Sequence, residues 1–130
     1  MIHTQQHYKG EHSAFYWAHA LNLTAWEIDI LRRVVRCRHK NQFEQDLQKI
    51  VDTLSIYKQE CKYIPKRCIS FWGIFDDMVK DLQLNKFERK ILNSVLSIMA
   101  SSVFNDKEHS RTILLINEYK NIKQYEEKEQ

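Results

Sequence analysis

Gly10, Gly73 and Pro65 are the only glycines and the only proline in 130 residues. A fold of many strands needs such residues at its tight turns, where the backbone angles suit few other side chains. Their scarcity directs the chain toward helices. Where those helices begin is written in a second pattern. Thr24/Glu27, Asn41/Glu44, Asn85/Glu88 and Asn105/Glu108 each place a short polar side chain three residues ahead of a glutamate. At that spacing the first side chain accepts from a free amide at the helix start, and the glutamate accepts from the cap's own amide. All four coincide with a restart of apolar residues at helical spacing.

Taken in order, residues 1–12 are polar and are expected to form a flexible amino-terminal segment. A short helix follows from about Ser13 to Leu21, with Ala14, Phe15, Trp17 and Ala18. From Thr24, one face is apolar through Trp26, Ile30, Leu31, Val34 and Val35. Phe43, Leu47, Ile50, Val51, Leu54 and Tyr57 form a second stripe. At about 100° per residue this stripe points roughly opposite to the first, so a turn is expected near His39–Asn41. Residues 61–68 hold Pro65 and read as a linker, because proline disfavours helix at itself and at the preceding residue. The pattern resumes from about Ser70 with Phe71, Phe75, Met78 and Leu82. It continues from Asn85 with Phe87, Ile91, Leu92, Val95 and Met99, and from Asn105 with Ile113, Ile116, Tyr119 and Ile122. Residues 125–130 are a charged tail.

The stretch Leu21–Val35 is nearly rewritten as Leu82–Leu96. Leu21/Leu82, Leu23/Leu84, Glu27/Glu88, Ile30/Ile91, Leu31/Leu92 and Val34/Val95 are identical, and Thr24/Asn85, Trp26/Phe87 and Val35/Leu96 keep their chemistry. Phe43 and Phe104 stand at the same separation. The expected architecture is an all-α six-helix bundle, one domain over residues 13–124, built from two similar three-helix halves, 13–60 and 69–124.

Composition bounds what such a bundle does. A hydrophobic share of 43% with 28% charged residues is that of an ordinary globular protein. No apolar run approaches the roughly 18 residues of a membrane span, and the start lacks the basic-then-apolar pattern of a secretory signal. Three cysteines, Cys37, Cys61 and Cys68, are an odd number, which points to free thiols and a cytoplasmic protein. The net charge of +3 is shared almost evenly before and after Pro65, so it demands no polyanionic partner.

Chemistry-bearing motifs are sparse. There is no Glu-x-x-His pair for a di-iron bundle, no glycine-rich phosphate loop and no nucleophile elbow. His3, His7 and His12, or Cys61 and Cys68, lack the close spacing of a structural zinc site. No catalytic residue, metal, cofactor or small molecule is therefore assigned. The aromatic clusters Phe15-Tyr16-Trp17 and Phe71-Trp72-Gly73-Ile74-Phe75 put large rings on more than one helix face. Phe15, Tyr16, Trp17, Phe71, Trp72 and Phe75 are thus candidates for contact with a protein partner or a second copy. Such contacts imply a non-catalytic binding or regulatory protein, an adaptor. The alternative is a small nucleic-acid-binding protein, a ribonucleoprotein subunit or transcription regulator. It would lay Arg32, Arg33, Arg36 and Lys40, spaced to share one helix face, on phosphates. A helix-turn-helix outline fits weakly, because Leu21-Asn22-Leu23 lacks the glycine often found in that turn.

Overall fold

A computed structural model describes residues 11–39, 42–60, 67–98 and 104–129. Six helices lie among the described residues: α1 (Ala14–Ala20), α2 (Ala25–Arg36), α3 (Phe43–Glu60), α4 (Phe71–Asp81), α5 (Lys86–Ile98) and α6 (Asp106–Glu129). There is no strand among the described residues, so the expected all-α bundle is the one observed. None of these helices is long and apolar enough to cross a membrane.

The caps act where the sequence places them. The Thr24 amide donates to Glu27 Oε1 at 2.9 Å, and Thr24 Oγ1 donates to the same oxygen at 3.1 Å. Asn85 and Glu88 bond in both directions, amide to side chain each way, at 3.0 and 2.8 Å. The Glu108 amide donates to Asn105 Oδ1 at 3.1 Å. Asn41 lies outside the described residues.

Both α1 and α4 end in the same turn. The Leu23 amide reaches back to the Ala18 carbonyl and that of Asn22 to His19, while Leu84 reaches Val79 and Gln83 reaches Lys80. This pairing needs a residue with positive φ just past the helix, a place that glycine usually fills. Asn22 and Gln83 occupy it instead, each at φ 54°. A side chain in that region costs about 1–2 kcal/mol, offset here by two satisfied carbonyls.

α2 packs on α1, α3 and α5, and α6 packs on α5 and α3. Their shared core holds Ile30, Leu31 and Val34 from α2, Leu47, Ile50 and Leu54 from α3, and Ile91, Leu92 and Val95 from α5. Each such side chain contributes about 1.5–3 kcal/mol by leaving water. Two ring triads flank the core. Trp26 stacks on Tyr57, which meets the edge of Phe104; Phe87 stacks on Tyr119, which meets Phe43 edge to face. Each triad draws its third ring from the other side of the linker.

Two buried carboxylates are crossed in the same manner. Glu27 on α2 receives both terminal nitrogens of Arg67, which precedes α4. Glu88 on α5 receives Arg38 Nε at 2.6 Å and the Tyr119 hydroxyl at 2.8 Å. Burial, with Glu88 beside it, raises the Tyr119 phenol above its ordinary value. Cys37, wholly buried at the end of α2, has its thiol pushed up by burial first and by Glu88 and Asp46 next. It is an inert core residue, not a nucleophile.

His109 on α6 lies edge-on to Phe104. Burial, and then the charge of Lys58, lower its imidazole below the ordinary 6.5 despite an opposing pull from Asp106. As pH falls through 6.5, the unfolded chain takes up this proton before the folded one does, so stability is lost on the acid side and regained above 6.5. The urea midpoint is expected to fall between about pH 7.5 and about pH 5.5, and His109→Gln should flatten that slope. An unchanged slope in the variant would assign the acid sensitivity to other groups.

Candidate functional site

The amino-terminal aromatic helix is held against the carboxyl end of α4 by one carboxylate. Asp81 accepts from the Trp17 indole at 2.7 Å, and from the amides of Glu11 and His12 at 2.7 and 3.2 Å. Partial burial pulls the Asp81 pKa upward, but these three donors together hold it below the ordinary carboxylate value. With Trp17 anchored there, Tyr16 stacks on it at 5.0 Å and His12 stands edge-on to Tyr16 at 3.8 Å. The Ser13 side chain caps the helix by accepting from the Tyr16 amide.

The six aromatic residues proposed from sequence separate into two groups. Phe71 and Phe75 lie in the core, 2% and 0% exposed, so they offer nothing to a partner. This corrects the sequence expectation for both rings: they fill the inward side of α4 with Met78 and Leu82. Trp17 is half-buried and engaged with Asp81. The outward set is Phe15 at 59%, Tyr16 at 42% and Trp72 at 41% exposure, with Ile69 fully exposed one turn before Trp72. Trp72 stands edge-on to Phe71 and Phe75, so its ring is braced from behind while its outer side meets solvent.

Gly73 sits beside Trp72 on the exposed side of α4, and a methyl added there would meet nothing within 4 Å. Glycine inside a helix costs about 0.5–1 kcal/mol relative to alanine. Because no neighbour in the chain requires the missing side chain, Gly73→Ala is expected to raise stability by about that amount in urea unfolding. A loss instead would mean that the α4 face is closed.

The arginine stripe is largely engaged within the chain. Arg33 bonds Asp29 at 3.1 Å and reaches Asp46 at 3.4 Å; Arg36 bonds Asp46 at 3.0 Å. Asp46, in the first turn of α3, is buried, so these two arginines join α2 to α3. Arg38, adjacent in sequence, is bound to Glu88 and to the Gln83 carbonyl. Lys40 lies outside the described residues. Arg32 differs from the others: it is exposed, and its guanidinium stands 4.9 Å over the Phe15 ring. It has no acidic partner among the described residues.

Sequence reasoning passed over Asp46, Arg67 and Asp81 as functional links. Asp46 sits one helix start from the stripe that it neutralises, a proximity visible in the sequence. Arg67 and Asp81 join residues 40 and 64 positions away, with no local signal. No group of three or more histidine, cysteine, aspartate or glutamate residues suited to a metal occurs among the described residues. No protein-family model matches the chain, and neither does any curated protein or any solved structure.

Proposed function

We propose that this chain is a non-catalytic binding or regulatory protein, an adaptor that acts through protein–protein contacts on the outward aromatic surface of α1 and the start of α4. The observation that carries the reading is the exposure of Phe15 and Tyr16 on α1 and of Ile69 and Trp72 at the start of α4. Large apolar groups left on a surface are stabilised when a partner covers them, and rigid rings lose little entropy on binding. The absence of catalytic motifs from the sequence agrees with a binding role. A cytoplasmic setting belongs to the same reading, supported by the free thiols of Cys37 and Cys68. So does descent from a duplicated three-helix unit, supported by the matched turns at Asn22 and Gln83 and by the paired ring triads.

A photo-crosslinking amino acid at position 16 or 72, introduced in the cells that make the protein, tests it. Covalent protein adducts absent from a control probe at exposed Lys49 are the expected result. Adducts to nucleic acid alone would reject the reading.

One observation favours nucleic acid as the second reading. Arg32 over Phe15, with Tyr16 following, resembles a platform on which unpaired bases stack. Its weakness is that Arg33 and Arg36 are already neutralised by carboxylates. If it holds, affinity for short RNA or DNA falls steeply with salt and with Arg32→Gln.

A further inference from the structure

We propose a second site, independent of the protein-binding surface: the outward face of α5 binds duplex DNA, with α4 and α5 acting as a helix-turn-helix pair. Lys86, Arg89, Lys90, Asn93 and Ser97 recur at the spacings that place side chains along one face of a helix. The three cations are exposed, and Asn93 and Ser97 are half-buried. No apolar side chain interrupts this stripe, and no carboxylate does either, since Glu88, the one acid of α5, is buried.

The fold itself does not call for these cations. Lys86 and Arg89 stand at the amino-terminal end of α5, where the helix dipole disfavours positive charge. Lys90 makes no ion pair among the described residues, and Lys86 meets only the Phe87 ring, at 5.4 Å. Arg89 bonds Asp76 at 2.8 Å in a pair about half exposed on both sides, open to exchange with another anion. Phosphates are such anions. Lysine and arginine also bond guanine edges, and asparagine bonds adenine, so the stripe has the donors both to hold a duplex and to read it. A protein partner would find no apolar group there to cover, which the centre of a protein interface requires.

The frame around the stripe is a helix, a tight turn and a second helix, the outline of a reader whose second helix enters the major groove. The positive φ that glycine often supplies in that turn is present twice, at Asn22 between α1 and α2 and at Gln83 between α4 and α5. Burial separates the two pairs. Only Ala25 and Arg32 of α2 are exposed, because α1, α3 and α5 all pack on that helix. It has no face for a groove, whereas α5 turns a continuous one outward. Arg38 fixes the second turn by donating to the Gln83 carbonyl and to Glu88.

Fluorescence anisotropy of the full chain with a labelled DNA duplex of random sequence tests this. With the three exposed cations on phosphates, affinity should fall roughly fortyfold between about 50 and about 200 mM salt. Lys86→Gln combined with Lys90→Gln should weaken binding about tenfold or more and make the salt dependence shallower. The same variant should melt no lower than the wild type, because removing cations from that end of α5 relieves the dipole. Asp76→Asn, which frees Arg89, should tighten binding about threefold or more, while Asp52→Asn, the same charge change on the exposed side of α3, should alter it far less. A duplex left unbound at about 50 mM salt overturns the assignment. So does a loss caused by Arg32→Gln in place of the α5 changes, which would move the contact to the Phe15 platform. Tighter binding of polyglutamate than of the duplex would likewise overturn it, in favour of an acidic protein partner. None of these results bears on protein crosslinks from position 16, so the protein-binding reading stands or falls separately.

Discussion

Glu88→Ala is expected to remove about 3–5 kcal/mol of stability, the range seen when one member of a buried ion pair is deleted. The carboxylate is fully buried and serves three elements at once. It accepts from the Asn85 amide at the start of α5, from Arg38 after α2, and from Tyr119 on α6. Alanine leaves an unsatisfied amide, a phenol without its acceptor and a guanidinium held in partly dry surroundings. For a domain of this size the melting temperature should drop by roughly 10–20 °C, measured by circular dichroism. Asp76→Ala provides the contrast. Its ion pair with Arg89 is about half exposed on both sides, 51% and 47%, and should be worth under about 1 kcal/mol. Equal losses from the two changes would show that the buried network adds nothing beyond a surface pair.

The second large effect separates inward from outward on α4. Phe75→Ala should cost about 3–5 kcal/mol, because the ring is fully buried and its removal leaves a cavity. Trp72→Ala, three residues earlier, should cost only about 1 kcal/mol, the value of its edge-on ring contacts. Urea unfolding of both variants measures the difference. A Trp72 loss as large as that of Phe75 would place the indole in the core and remove it from the contact surface.

Much of the fold was legible because its signals are local. Thr24, Asn85 and Asn105 mark helix starts through bonds only three residues long. The stripes of α2 and α5 follow from periodicity alone. The site was less legible, for two physical reasons. Neighbouring aromatics on α4 cannot be sorted into core and surface without knowing which side the bundle covers, so Phe71 and Phe75 looked like companions of Trp72. Charge runs look alike whether solvated or paired; that Arg33 and Arg36 meet Asp46 depends on how α3 folds back on α2. Glu27 and Glu88 were legible as caps, yet their burial was not, because the arginines that make it tolerable come from 40 and 50 residues away.

Those crossed links make the chain indivisible. Arg67 answers a carboxylate before the linker, Arg38 answers one after it, and each ring triad borrows a member across the same divide. A fragment ending at Glu60 would bury Glu27 without its counter-ion, and one beginning at Arg67 would do the same to Glu88. Neither is a miniature of the whole. Mixed, however, the two carry every complementary part, so a chain severed between them should reassemble from its pieces.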